Sequence, residues 1–183
     1  MASIHITYET ARQIADHAKT VYPEEACGLI AGAGSIITHA FPVTNVAENC
    51  HLTFQLDPNE QLQALKEIDH IGIDWIGVYH SHPQSSPIPS QSDIKGSRDP
   101  KLIHLIVSLK SNKPKLKAWK ISEFEVLPLE VLFDTESEQN TVHEPLSNSQ
   151  KTAIIIASLL SVMLMLAISL SLLPPAPIIT PAP

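Results

Sequence analysis

One segment limits what the rest of this chain can fold into: the run from Thr152 to Leu173 contains no charged residue. Its twenty-two residues would form a helix about 33 Å long, and the hydrocarbon core of a bilayer is about 30 Å thick. A buried core helix would show a polar face, whereas this run carries only scattered Ser and Thr among aliphatic residues. The run therefore predicts a membrane-spanning helix, and the globular part of the chain is expected to precede it.

Composition divides the 183-residue chain into four parts. Residues 1–133 mix apolar and charged side chains and have the length of one ordinary domain. The acidic and polar stretch 134–150 predicts a solvated linker. Residues 151–174 form the predicted transmembrane helix, and residues 175–183 form a Pro-rich tail that is too short to fold.

The residues at the two ends of the chain favour one orientation of this predicted helix. The N-terminal residues show neither a basic region nor an apolar run, so no secretory signal is expected. Lys151 precedes the apolar run, and no charged residue follows it. Because positive charges stay on the cytoplasmic side, we expect a single-pass, tail-anchored membrane protein whose domain faces the cytoplasm.

Charge and cysteine content narrow the function classes. The net charge is −7 and no cluster of Arg and Lys occurs, which argues against nucleic acid as a partner. Cys27 and Cys50 are the only cysteines, so a four-cysteine zinc site is excluded and a reducing compartment is favoured. Cys27 begins an apolar stretch, which predicts a buried structural thiol rather than a nucleophile.

Hydrophobic periodicity predicts an α/β domain with a mixed sheet and two main helices. Thr7 is expected to cap a helix that runs to about Tyr22. The stretch Asp57-Pro58-Asn59-Glu60 predicts a helix start with a capping box. Ser90 or Ser92 is expected to cap a short third helix. Strands are expected at 3–6, 27–32, 35–46, 52–56, 75–80, 102–109, 116–121 and 124–133.

A constellation of polar residues follows the predicted strand 75–80. It reads His80-Ser81-His82-Pro83, then Ser90 and Asp93. Two histidines two residues apart at a strand end can bind one metal ion, and Asp93 can supply a third ligand. Three protein ligands leave one tetrahedral position open, which is typical of a catalytic zinc site. A His-x-His pair alone is more often an ordinary pair of histidines, but Pro83, Ser90 and Asp93 at these offsets favour metal binding.

Together with Glu25 in the stretch Pro23-x-Glu25-x-Cys27-Gly28, this constellation resembles the motif of the JAMM/MPN+ metalloproteases. The compact bacterial and archaeal members are the most similar, and the resemblance covers about residues 4–130. It implies an α+β mixed sheet flanked by helices, in a cytidine-deaminase-like architecture. It also implies one zinc ion per chain held by His80, His82 and Asp93, with Glu25 as general base and Ser90 stabilising the oxyanion.

Sequence spacing alone does not bring Glu25 to the metal, because it lies 55 positions before His80. Only the resemblance selects Glu25 over its neighbour Glu24. Ser81 is expected to face away from the ligand pair or to bond locally, since alternate residues of an extended strand point in opposite directions. Asn45 and Asn49 are expected to shape a loop near the site.

The resemblance implies a zinc-dependent, deubiquitinase-like peptidase or isopeptidase. Its substrate would be the C-terminus of a ubiquitin-like or sulfur-carrier protein. The alternative is an inactive MPN-type scaffold that recruits partners to the membrane, but such scaffolds typically lack motif residues that this chain retains. A zinc deaminase would need a Pro-Cys-x-x-Cys ligand pair, which is absent. The sequence leaves a homodimer open.

Overall fold

The computed structural model describes residues 2–97, 99–122 and 124–134, with six positions between 156 and 165. Those six are helical: Ile156, Ala157, Leu160, Ser161, Met163 and Met165. Within the described part of the chain, no helix has the length and apolar character that crossing a membrane requires. The rest of the predicted 151–174 helix, the 135–150 part of the linker and the 175–183 tail lie outside the described residues.

The described elements follow the predicted order. They are β1 (Ser3–Thr7), α1 (Tyr8–Thr20), β2 (Cys27–Ala33), β3 (Ile36–Val43), α2 (Pro58–Ile71), β4 (Asp74–His82), α3 (Gln91–Gly96), β5 (Ile103–Ser108), β6 (Lys115–Ile121) and β7 (Val126–Asp134). The strand predicted at 52–56 is wrong. Only one isolated bridge, Asn45 to Leu56, forms there, because the amides of Leu52 and Thr53 turn back to the carbonyl of Asn49.

The seven strands close into a barrel in the order β1-β3-β2-β4-β5-β6-β7. The β4–β5 pair is parallel, as are both pairs made by β1, whereas the remaining pairs are antiparallel. The predicted mixed sheet is thus confirmed, but the sequence did not predict its closure. Closure depends on the pairing of β1 with β7, where His5 Nδ1 lies 2.8 Å from Asp134 Oδ1.

The two main helices pack against opposite faces of β2. Ile30 of that strand belongs to one core cluster, together with Ile14 of α1. Its neighbour Leu29 belongs to a second cluster, together with Ala64 and Ile68 of α2. Because successive strand residues point to opposite faces, β2 separates the helices, and the predicted sheet flanked by helices is confirmed.

The start of α2 fixes the long loop that precedes it. Asp57 caps the helix, since its Oδ1 accepts from the amides of Asn59 (2.9 Å) and Glu60 (3.0 Å). The predicted capping box is only half formed. The Glu60 carboxylate instead accepts from the amide (2.6 Å) and hydroxyl (3.0 Å) of Thr44. This joins the end of β3 to α2, so loop 44–57 is held at both ends beside the end of β4.

Candidate metal centre

Three buried side chains predicted as metal ligands converge at the end of β4. The Nε2 atoms of His80 and His82 are 3.1 Å apart, and Asp93 Oδ2 lies 3.5 Å from each of them. A regular tetrahedron with ligand bonds of about 2.0–2.1 Å has edges of about 3.3 Å. The three atoms therefore occupy three corners of a tetrahedron of the size that a divalent metal requires, and the arrangement fits a metal site.

The position of Asp93 follows from the cap of α3. The amide of Ser90 donates to Asp93 Oδ2 (2.6 Å), and the amide of Asp93 donates to Ser90 Oγ (3.2 Å). The oxygen fixed by this reciprocal cap also faces the two histidines. Burial acts to raise the pKa of Asp93, but His80, His82 and the Ser90 amide outweigh it and hold the pKa well below its usual range. The Asp93 carboxyl is therefore ionised, which is the form that can bind a metal ion.

Interactions outside the ligand set orient the two histidine rings. His82 Nδ1 donates to the carbonyl of Ser86 (2.8 Å), which leaves the Nε2 lone pair for a metal. His80 is fully buried and stacks on Phe54, with ring centroids 4.4 Å apart. Burial lowers the pKa of His80, so its imidazole stays neutral, as a metal ligand must.

Strand pairing explains how Glu25 approaches a site 55 positions downstream. Cys27 of β2 pairs with His80 of β4. The pairing continues beyond β2, since the Ser81 amide donates to the Ala26 carbonyl (2.9 Å) and the Ala26 amide donates to Ser81 Oγ (2.8 Å). One residue further along, this register places Glu25 opposite His82.

Burial distinguishes Glu25 from its neighbour. Glu25 is 5% exposed, whereas Glu24 lies at the surface. Burial raises the pKa of Glu25 to about 7; His82 acts against this shift and Asp93 adds to it. A carboxyl group with this pKa can both accept and release a proton near neutral pH.

Asn45 organises the loop beside Glu25, as predicted. Its Nδ2 donates to the carbonyls of Glu25 (2.9 Å) and Thr53 (3.0 Å). Its Oδ1 accepts from the amides of Ala47 and Gln55, both at 3.0 Å. Asn49 contributes its backbone carbonyl to the turn. A single side chain therefore links Glu25 to the segment that carries Phe54.

Two other sequence predictions concern hydroxyl and thiol groups. Ser90 Oγ caps α3 and lies 2.7 Å from Ser92 Oγ.

Cys27 is fully buried, and its thiol donates a hydrogen bond to the Val43 carbonyl (3.4 Å). Burial, with Glu25 and Glu60 adding to it, raises the pKa of Cys27 to about 12. The prediction of an inert structural thiol is confirmed.

A cavity of about 550 Å³ opens beside Asp93, one of its lining residues. Its walls include the aromatic and aliphatic side chains of Phe54, Trp75 and Val78, with His104 on the β5 side. The sequence analysis assigned no role to Phe54 or His104. Apolar surface next to a metal-ligand set is typical of a substrate pocket.

The fold and the site together describe a seven-stranded barrel domain with a buried side-chain set that fits a metal ion. The chain matches the family model described as prokaryotic homologs of the JAB domain, over residues 7–122. The matched residues run from α1 through β6 and include Glu25, His80, His82 and Asp93. The chain therefore belongs to this family of prokaryotic JAB-domain proteins.

Individual relatives agree with this placement. The chain is 37% identical to a desampylase of Haloferax volcanii over 111 residues, covering 60% of this chain and 79% of that protein. It is 30% identical over 108 residues to a CysO-cysteine peptidase of Mycobacterium tuberculosis, covering 57% and 73%. A solution structure of a Desulfitobacterium hafniense protein superposes with a TM-score of 0.69 and 32% identity, covering 77% of this chain and 99% of that one.

Proposed function

We propose that this chain is a zinc-dependent isopeptidase that cleaves conjugates at the C-terminus of a ubiquitin-like or sulfur-carrier protein. The observation that carries the proposal is the tetrahedral His80, His82 and Asp93 set with buried Glu25 opposite His82. The names of the relatives support the substrate class: desampylase, CysO-cysteine peptidase and, in Thermus thermophilus, probable TtuB-protein conjugate cleaving protease.

Two nitrogen ligands and one carboxylate form a donor set that suits zinc. A zinc ion held there supplies Lewis-acid activation of water and of the carbonyl under attack. The chain contributes a neutral imidazole at His80 through burial. At His82, the hydrogen bond from Nδ1 to the Ser86 carbonyl fixes the ring so that Nε2 faces the proposed metal position. The chain also contributes one fixed negative charge at Asp93, held by the cap of α3.

Glu25 is the proton carrier of the proposed reaction. Its carboxylate accepts the proton of the attacking water and hands it to the departing amine. Glu25 is buried, and the Asn45 and Ser81 side chains hold the peptide unit that follows it, through the Glu25 carbonyl and the Ala26 amide. No covalent intermediate is needed, and the buried Cys27 thiol, with its raised pKa, does not serve as a nucleophile.

Ser90 is proposed to donate its hydroxyl proton to the developing oxyanion. Its side chain is half-buried and next to Asp93, and its oxygen already accepts the cap hydrogen bond from the Asp93 amide. Accepting that bond does not use the hydroxyl proton, which can turn from Ser92 Oγ, 2.7 Å away, to the oxyanion. Removing one such donor costs about 3–4 kcal/mol of transition-state stabilisation in other hydrolases.

The substrate residues on either side of the scissile bond are proposed to bind in the cavity beside Asp93. Phe54, Trp75 and Val78 give it apolar walls. An extended tail that ends in glycine can lie along such a groove as an added strand. The segments from Glu25 to His80 and from Asp93 to residue 133 are short, which favours an enzyme of the compact type.

The catalytic proposal is tested with the full chain in detergent and a ubiquitin-like protein joined through its C-terminus to a lysine or cysteine. We expect cleavage after the terminal residue of the ubiquitin-like protein. Glu25→Gln should lower kcat/KM by about 100-fold or more while the metal content stays the same. Glu67→Gln, which changes an exposed carboxylate on α2, serves as the matched control and should cleave normally.

The scaffold alternative makes the opposite prediction for this experiment. An inactive scaffold would bind the ubiquitin-like protein and release no product, in the wild-type chain and in both variants alike. That outcome would refute the isopeptidase proposal. Burial of the Glu25 carboxyl, which raises its pKa, lowers the folding stability of the protein. A scaffold that only binds partners would gain nothing from this cost, so the burial favours the enzyme.

We also propose that residues 151–174 anchor the domain in a membrane, with the domain on the cytoplasmic side. The support is the charge-free run from Thr152 to Leu173. A linker of 17 residues has a mean span of about 23 Å, so the site would stay near the bilayer. The full chain should resist alkaline carbonate extraction, and a chain ending at residue 150 should be released. Equal release of both would contradict the anchor.

A further inference from the structure

A second group of metal-ligating side chains lies outside the centre just described. It consists of Glu24, Cys50 and His51, here called the outer cluster. One carboxylate oxygen, the thiol sulfur and one ring nitrogen all lie within 4.8 Å of one another. Neither the isopeptidase mechanism nor the family motif uses these three residues.

Backbone contacts hold the two segments that carry the outer cluster. The Glu25 amide donates to the Cys50 carbonyl (2.7 Å), and Asn45 Nδ2 also approaches that carbonyl (3.5 Å). His51 Nδ1 lies 3.3 Å from the carbonyl of Pro23. A histidine that donates Nδ1–H to a carbonyl keeps its Nε2 lone pair for a metal, which is a common arrangement in metal sites.

The donor set of the outer cluster suits one class of ion. A thiolate, an imidazole and a carboxylate together favour zinc and similar borderline divalent cations over magnesium or calcium. Glu24 and His51 are exposed and Cys50 is half-buried, so an ion has access from solvent. The thiol of Cys27 is fully buried in the core, so an ion from solvent does not reach it.

We infer that Glu24, Cys50 and His51 form a second binding site for a zinc-like divalent ion. Binding displaces the thiol proton of Cys50 to solvent, and one coordination position remains for water. The ion would connect the segment Pro23–Glu25 to the turn around Cys50. Because Glu25 lies on the first of these segments, the second ion would stiffen the frame that carries the proposed general base.

Cobalt distinguishes the two sites, because only the outer cluster contains sulfur. A Co²⁺ ion on His80, His82 and Asp93 gives no near-ultraviolet thiolate-to-cobalt charge-transfer absorption, whereas a Co²⁺ ion on Cys50 does. The experiment titrates Co²⁺ into the metal-free full chain in detergent and follows that absorption. It uses the wild-type chain, Asp93→Asn, Cys50→Ser and the matched cysteine control Cys27→Ala.

We expect about two bound ions per wild-type chain and about one in Asp93→Asn and in Cys50→Ser. The charge-transfer band should be present in the wild type, Asp93→Asn and Cys27→Ala and lost in Cys50→Ser. His51→Ala, which alters an exposed side chain, should also lose the band. Zinc added in excess should abolish it. A wild-type chain without the band, or a band that survives in Cys50→Ser, would overturn the proposal.

Hydrogen exchange gives a second readout that is independent of catalysis. In the Asp93→Asn chain, Zn²⁺ should slow amide exchange in residues 45–53. The same ion should have no such effect when Asp93→Asn is combined with Cys50→Ser. Equal protection in both chains would show that the outer cluster does not hold the ion. Failure of the isopeptidase assay would leave these results unchanged, so the two proposals fail separately.

Discussion

At the scale of single residues, Glu25 links the stability of the protein to pH. Burial raises its pKa from 4.5 in the unfolded chain to about 7 in the fold. The stability that protonation contributes is therefore fully present below about pH 4.5 and is lost as pH rises through about 7. Between pH 5 and 8, the metal-free wild-type chain should lose up to about 3 kcal/mol relative to Glu25→Gln.

Tryptophan fluorescence measures this difference, since both tryptophans, Trp75 and Trp119, lie in the described domain. Urea unfolding of the two metal-free chains at pH 5 and pH 8 gives the comparison. Glu67→Gln should follow the wild type at both pH values. A wild-type chain and a Glu25→Gln chain with the same pH dependence would show that Glu25 titrates normally.

Ser81 is a positioning residue whose importance appears only in the structure. Its hydroxyl is the partner of the buried Ala26 amide, next to Glu25. Ser81→Ala should cost about 1–3 kcal/mol of folding stability, because that amide loses its partner. It should also lower kcat more than it raises KM, with the metal content unchanged. Ser81→Cys, which keeps a weak polar group, should restore part of kcat. An unchanged kcat in Ser81→Ala would contradict the positioning role.

The motif predicted the ligand set, because His80, His82 and Asp93 lie close together in sequence. Glu25 could be assigned to the site only through the family resemblance, because its position beside the histidines depends on the register of β2 against β4. For Ser81 the strand pattern predicts a side chain that faces away from the ligands or bonds locally; its actual partner, the Ala26 amide, lies 55 positions away in sequence and is set by strand pairing. The stacking of Phe54 on His80 could not be predicted, because it depends on the path of loop 44–57.

At the scale of elements, the six-residue helix α3 connects helix capping to metal affinity. Ser90 caps α3, and the same cap orients Asp93 Oδ2 toward the histidines. Ser90→Ala should cost about 1 kcal/mol of stability and weaken zinc binding by about 10-fold or more. Ser90→Thr keeps a capping hydroxyl and should bind zinc nearly as the wild type does.

Competition with a chelator of known affinity measures the zinc dissociation constants of these variants. Cys50→Ser is the background for all of them, so that only one site is titrated. Ser92→Ala removes a neighbouring hydroxyl that contacts Ser90 but does not cap α3, and it is the matched control. If Ser90→Ala and Ser92→Ala bound zinc equally well, the cap would not be what orients Asp93.

The elements themselves were largely predictable from local signals. Thr7 and Asp57 cap their helices, and Gly72 ends α2 with a positive φ of 73°. The predicted strand at 52–56 did not form because its backbone amides bond within the loop: those of Leu52 and Thr53 donate to the Asn49 carbonyl, and that of Gln55 donates to Asn45 Oδ1. Alternating apolar residues indicate an extended segment, but they do not show whether a neighbouring strand is available to pair with it.

At the scale of the whole molecule, the barrel closes through contacts that no local pattern reveals. β1 pairs with β7 across more than 120 residues of chain. The predicted mixed sheet was therefore correct in its strands and incomplete in its topology. The predicted boundary at residue 133 also falls one residue before the end of β7, where Asp134 contacts His5.

Metal removal should destabilise the entire domain, because the ligands come from β4 and α3 and meet in its interior. A ligand at about 1,000 times its dissociation constant adds about 4 kcal/mol to folding stability. We expect chelation to lower the unfolding midpoint in urea by a corresponding amount, and zinc to restore it. In Asp93→Asn combined with Cys50→Ser, the midpoint should not respond to zinc. A zinc response in that chain would indicate binding elsewhere.

The most direct test of the central claim is the zinc content of the full chain, purified in detergent and measured by elemental analysis in the Cys50→Ser background. We expect about one zinc ion per chain, and none when His82→Ala is added. A folded chain that holds no zinc, or one that keeps its zinc after His82→Ala, would contradict the metal centre.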